Sequence, residues 1–255
     1  MSLADGRELF VKHRPGAPAG MYPAEAAGLA WLAEARALRT PAVAAVGDDR
    51  APRFLALEWI GRGRPARGHD EALGRGLAAV HRAGAPEFGW PEDNFIGSLP
   101  QPNGPLASWP DFYAERRLEP MARAAVDAGA LDPGFLAGLE RLRARLPDLC
   151  GPPEPPARLH GDLWGGNAMT DAAGAPVLID PAVHGGHREI DLAMMRLFGG
   201  FGEAVFAAYA EAHPLADGHR DRIELLQLYP VLVHVVLFGG GYARSAGRIL
   251  SRYAD

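Results

Sequence analysis

RLHGDLWGGNAMTDAAGAPVLIDPA, residues 158–182, decides how the chain is read. NAMT and APVLID are short strand candidates on either side of a DAAG turn, so they should form a hairpin. The open end of that hairpin would bring Asn167 beside Asp180, with Asp162 in the Gly-containing loop just before it. A carboxylate and an amide oxygen at one spot are hard oxygen ligands of the kind Mg2+ prefers, since it takes its remaining ligands from water and phosphate. Phosphoryl transfer asks for this set, because its catalysis is mainly positioning and cation placement plus an acceptor for the hydroxyl proton. Asp162 is the candidate base, with Asn167 and Asp180 the candidate metal ligands. The D-x4-N spacing followed thirteen residues later by a strand-ending Asp is the order found in kinase catalytic loops.

A second reading takes His160-x-Asp162 as the start of a metallohydrolase site. It would need further histidines at ligand spacing. His184 and His187 lie three apart in a glycine-rich turn without a clear third partner.

Upstream, the basic residues supply the missing cation. Of 26 Lys and Arg, only Lys12 is a lysine, which marks a place where a compact ammonium is needed and a planar guanidinium would not fit. Lys12 closes the strand ELFVK, after a hairpin turn at ADGR. A helix from about Pro23 to Leu38 follows, and Glu25 in its first turn is the best candidate to orient the lysine, with Glu34 the alternative. PAVAAVGDDRAPRFLALEWI reads as two more strands, completing a small α+β lobe.

From about Asp70 helices dominate, at HDEALGRGLAAVHRAG, at about 110–128 and 132–147, and over most of the chain beyond Asp191. A coil of some 26 residues, APEFGWPEDNFIGSLPQPNGPLASWP, interrupts them. A loop that long in a compact domain usually has a task. The fold expected is α+β and bilobal, with residues 1–61 as a nucleotide-binding lobe and residues 62–255 as a larger, mainly helical catalytic and substrate lobe.

Composition excludes several classes. The net charge is −5, with 12 basic and 9 acidic residues in 1–82 and 14 basic and 22 acidic residues in 83–255. That split suits an anionic ligand held near cations better than a nucleic-acid platform. Cys150, alone, excludes an intramolecular disulfide and points to a reducing compartment. The first residues lack a signal-peptide pattern, and the longest apolar run, VLVHVVLF, falls far short of the roughly 20 residues of a membrane helix. A cytoplasmic protein, monomeric or weakly dimeric and without nucleic-acid or membrane partners, is expected.

The sequence resembles the fructosamine kinase (ketosamine 3-kinase) family, relatives of aminoglycoside and choline phosphotransferases with a protein-kinase-like fold. The resemblance runs through LFVK, AEAAGLAWL, LALEWI, FGWPEDNFIG, FYAERRLEP, LHGDLWGGN, LIDPAVHGGHREIDLAMMRLFGGF and LYPVLVHVVLFGGGY. It implies that Asp162 is the base, that Asn167 and Asp180 hold Mg2+, and that Lys12 with Glu25 orients the phosphates of ATP. It implies further that the backbone of Glu58 and Ile60 receives the adenine. Trp164 and the HGGHRE turn, with His187 and Arg188, would help form the sugar pocket, core packing being the other reading of Trp164. Arg188 and Glu189 read either as a structural ion pair or as a substrate contact, and Asp191 as a brace of the catalytic loop. The implied substrate is a small-molecule or protein-bound ketosamine, phosphorylated on its third hydroxyl as a step of deglycation repair. Family members open with a strand and turn over the nucleotide phosphates, whereas this sequence starts at about the second strand with no Gly-rich loop before Lys12. The small lobe therefore reads as truncated, with a sheet edge left exposed. A non-catalytic pseudokinase is one alternative, and an aminoglycoside- or choline-type phosphotransferase the other.

Overall fold

A computed structural model describes residues 1–6, 8–50 and 52–254. Arg7, in the expected ADGR turn, lies outside the described residues, as do Ala51 and Asp255. The chain begins with β1 (Leu9–His13), α1 (Met21–Glu34), β2 (Val43–Gly47) and β3 (Phe54–Glu58), and the strands form an antiparallel sheet in the order β1-β3-β2. Lys12 pairs with Leu55 and Phe10 with Leu57, so all four side chains share one face. On α1, Tyr22, Glu25 and Leu29 lie three and four residues apart and face that sheet. Tyr22 and Leu29 pack with Leu55 and Leu57 in a small core, which carries Glu25 to Lys12.

α1 ends four residues before the expected Leu38, because the chain turns at Arg36, whose φ of 51° no helix accommodates. Leu32 and Leu38 pack instead with α2 (His69–Arg82) in a second core.

The long coil is partly ordered as a hairpin of β4 (Asn94–Ile96) and β5 (Leu99–Gln101). The helix expected at 110–128 is broken into α3 (Trp109–Phe112), a π-helical turn (Tyr113–Leu118) and α4 (Glu119–Asp127). Pro120 explains the break, since it has no N–H to give to the carbonyl four residues earlier. α5 (Gly134–Leu149) precedes β6 (Ala157–Leu159), then β7 (Ala168–Thr170), β8 (Pro176–Leu178) and β9 (His184–Gly186). β7 and β8 form the predicted hairpin, and β6 pairs with β9. α6 (Glu189–Phe198), α7 (Glu203–Ala212), α8 (His219–Phe238) and α9 (Gly241–Ala254) complete the chain. The largest core gathers α3 to α5 around α8 and α9. The fold is α+β and bilobal, as expected, and the site lies where the sheet, the β7–β8 hairpin and the end of α8 meet.

Candidate active site

The hairpin register sets the geometry. Ala168 faces Leu178, and the next N–H, that of Ile179, donates to Asn167 O at 3.0 Å, so Asn167 and Asp180 emerge together at the open end. The Asn167 amide nitrogen donates to Asp162 O at 2.8 Å, to Asp162 Oδ2 at 3.0 Å and to Asp180 O at 3.4 Å. Its amide oxygen takes part in none of these bonds, and Asn167 lines the cleft. Lys12 Nζ donates to both Glu25 carboxylate oxygens at 2.8 Å and lies 3.1 Å from Asp180 Oδ1. Glu34, the alternative partner, is 66% exposed and lies 3.4 Å from Arg158 instead.

Burial pushes Asp162 up to about 6, against the pull of the Asn167 hydrogen bond. Burial works against the charge of Lys12, but Glu25 and Asp180 together outweigh it and raise the ammonium above the ordinary lysine value. The loop is held from behind by Asp191, whose carboxylate accepts the N–H of His160 at 2.8 Å and of Gly161 at 2.9 Å. Burial alone would raise Asp191, yet His81 at 3.2 Å and these amides hold it below the usual carboxylate value. His81 in turn meets Tyr209 Oη at 2.8 Å. The expected brace is thus in place, and its two outer members, from α2 and α7, carried no local sequence signal. Gly161 is required here, since at φ 81° a Cβ would lie 2.0 Å from Ala182 O.

The His160 ring is committed to the loop as well. Nε2 lies 2.9 Å from Ile179 O, the Asp162 N–H reaches Nδ1 at 3.3 Å, and burial lowers its pKa, so the neutral ring with Nε2–H satisfies both contacts. Among the described residues no group of three or more His, Cys, Asp and Glu is placed to hold a metal. The donor set of Asn167 and Asp180 instead fits Mg2+, which binds few protein oxygens and completes its shell with water and phosphate.

Two cavities meet at Asp180. One, of 330 Å³, is an apolar slot between Leu57 and Phe10 of the sheet and Met169 and Ile179 of the hairpin, closed by Glu58, Trp59 and Ile60. The Glu58 N–H donates to Ala42 O, so only its carbonyl could meet a base, together with the backbone of Ile60. The other, of 780 Å³, holds Lys12, Glu25, Asp162, Asn167 and Asp180 and is lined as well by the exposed rings of Trp164 and Phe238. Trp164 is 43% exposed, so core packing does not describe it. Its ring folds over Gly166, where a Cβ would clash at 2.2 Å.

His187 and Arg188 do not reach this cleft, which corrects their place in the sugar pocket. Pairing of β9 with β6 turns the chain into the large lobe, and both residues are 4% exposed. Arg188 forks onto Glu154 at 2.7 and 2.8 Å and caps the carbonyls of His213 and Pro214. Glu189 accepts a similar fork from Arg222, so the two neighbours make separate ion pairs rather than one with each other.

The fructosamine kinase family model matches residues 1–255. A probable ketoamine kinase of Synechocystis sp. is 40% identical over 255 residues, covering 98% of this chain and 84% of its own length. A chloroplastic protein-ribulosamine 3-kinase of Arabidopsis thaliana is 36% identical over 252 residues, covering 98% and 77%. A crystal structure from Thermobifida fusca that bears a fructosamine-3-kinase name superposes with a TM-score of 0.90 at 48% identity, covering 99% of this chain and 87% of that one.

Proposed function

Because the chain belongs to the fructosamine kinase family, we propose that it transfers the γ-phosphoryl group of ATP to the 3-hydroxyl of a ketosamine. The observation that carries this reading is the convergence of Lys12, Asp162, Asn167 and Asp180 on one cavity, reached from three separate parts of the chain. Asp162 accepts the proton of the attacking hydroxyl as its oxygen bonds to the γ-phosphorus. The bond from that phosphorus to the β,γ-bridging oxygen breaks, and ADP leaves with the electron pair. Lys12, fixed by Glu25, supplies positive charge to the nucleotide phosphates. Asn167 and Asp180 would hold Mg2+, which when bound neutralises charge developing on the transferred group. The apolar slot with Glu58 and Ile60 takes the adenine, and Trp164 offers the acceptor an aromatic wall.

The acceptor is a ketosamine on a free or protein-bound amine. The 3-phosphate product is labile and sheds the sugar, so the reaction is a repair of glycated amines. The site of action is the cytoplasm, a reducing compartment that suits the lone free cysteine, Cys150; among the described residues no helix is long and apolar enough to cross a membrane. The experiment is ADP release with Mg-ATP across a panel of ribulose-lysine, fructose-lysine, an aminoglycoside and choline. Turnover confined to the two ketosamines is expected, and turnover confined to the others would refute it.

A further inference from the structure

The segment FGWPEDNFIG has no part in the chemistry described above, yet the β4–β5 hairpin it enters is joined by buried hydrogen bonds to Ala182 and Val183, just after Asp180. Tyr229 Oη, on α8, donates to Gln101 Oε1 at 2.6 Å. That fixes the Gln101 amide the other way round at its nitrogen, which donates to Asn94 Oδ1 at 2.7 Å and to Ala182 O at 3.1 Å. The Asn94 amide nitrogen is directed in turn, and donates to Val183 O at 2.8 Å. Gln101 is fully buried and Asn94 is 4% exposed, so each bond is made away from water, where a lost partner leaves an unpaid polar group.

The far side of the hairpin is anchored too. Asp93 Oδ1 accepts the Asn103 N–H at 2.7 Å. Arg117, from the π-helical turn, donates to Pro102 O at 2.6 Å and to Asn103 Oδ1 at 2.7 Å.

This relay reaches the chain two and three residues after Asp180. Asp180 has φ 54°, a left-handed conformation uncommon for residues other than glycine, so the bonds on either side of it matter to where its carboxylate points. On its N-terminal side Ile179 is tied to Asn167 and His160. On its C-terminal side Pro181 has no N–H, so the constraint falls on the Ala182 N–H, given to His160 O, and on the two carbonyls held by Gln101 and Asn94. Asn94, Phe95 and Ser98 of the same hairpin line the acceptor cavity.

We propose that Gln101, oriented by Tyr229 and acting with Asn94, is a positioning residue that keeps Asp180 aimed at the metal–nucleotide. The proposal rests on the kinase reading above only in assigning Mg-ATP to Asp180. Gln101→Leu removes both donors, and Tyr229→Phe removes only the hydroxyl that orients the amide. Mg2+ is titrated calorimetrically against each protein with ATP and no acceptor, and the Mg2+ dependence of kcat with ribulose-lysine is measured in parallel. Partners of metal ligands typically alter metal affinity or activity by 10–100-fold. Half-saturation by Mg2+ should therefore rise about tenfold or more in Gln101→Leu. Tyr229→Phe should shift it in the same direction by less, with KM for ribulose-lysine within about twofold of the unaltered chain in both.

If melting temperature falls while half-saturation by Mg2+ and kcat stay unchanged, the relay is structural only and the proposal is overturned. Should Gln101→Leu fail to fold, Tyr229→Phe decides on the same readings. Failure of the unaltered chain to turn over ketosamines would refute the functional reading alone, since the calorimetric titration uses no acceptor.

Discussion

Replacing Asp162 by Asn should stop phosphoryl transfer and, in the same protein, raise stability. Burial lifts the Asp162 carboxyl from 3.8 to about 6 in the fold. The folded state therefore holds a proton more tightly than the unfolded chain between those values, and stability falls as pH rises through them. Below 3.8 both states are protonated and nothing is lost. Above 6 the full penalty is present, and at about 1.4 kcal/mol per unit of pKa it comes to at most about 3 kcal/mol, an upper bound because the carboxylate meets cleft water on one side. At pH 5 the same relation leaves about half of it. An Asn side chain carries no charge to bury, and its Oδ1 can still accept from Asn167. Asp162→Asn should thus be stabilised by about 2–3 kcal/mol at pH 8 and by roughly half that at pH 5, in urea unfolding followed by circular dichroism. Its kcat should fall by at least about 100-fold, the lower range for loss of a general base. A variant no more stable than the parent at pH 8, or one whose gain does not depend on pH, would refute the view that the base is held in a costly environment.

The same protonation should appear in kinetics: kcat/KM of the unaltered enzyme should rise with pH through about 6 as Asp162 loses its proton, and an acid limb that survives in Asp162→Asn would assign it elsewhere. Lys12→Arg keeps the charge but cannot seat a planar fork between Glu25 at 2.8 Å and Asp180 at 3.1 Å, so steady-state kcat/KM should fall about 100-fold, and full activity would remove the argument from the solitary lysine. Asp191→Ala strands the buried N–H groups of His160 and Gly161, and at about 1–3 kcal/mol for each unpaired group it should cost roughly 2–6 kcal/mol in denaturant unfolding. A cost under about 0.5 kcal/mol there, the level of an ordinary surface change, would show that the brace is dispensable.

The parts of this site that depend on local pattern were legible in the sequence. The β7–β8 hairpin follows from a turn between two short apolar runs, and its register alone brings Asn167 to Asp180. Glu25 reaches Lys12 because it shares a helical face with Tyr22 and Leu29 and the lysine shares a strand face with Leu55. What could not be read depends on distant partners. The HGGHRE turn looks like a polar pocket wall, but Glu154 and Arg222, each more than thirty residues from its partner, draw Arg188 and Glu189 into the large lobe as separate buried pairs. His81 and Tyr209 come to Asp191 from two other helices, and Tyr229 finds Gln101 across 128 positions. The π-helical turn was hidden for a different reason: Pro120 was visible, but whether a proline kinks, ends or widens a helix is set by what packs around it.

The most direct measurement uses a ketosamine labelled with 13C at C3, such as ribulose-lysine, incubated with the protein, Mg2+ and ATP and followed by NMR. The account predicts a 13C–31P coupling growing in at C3 with one ADP released per labelled molecule consumed. An unchanged C3 resonance while an aminoglycoside or choline becomes phosphorylated under the same conditions would contradict it.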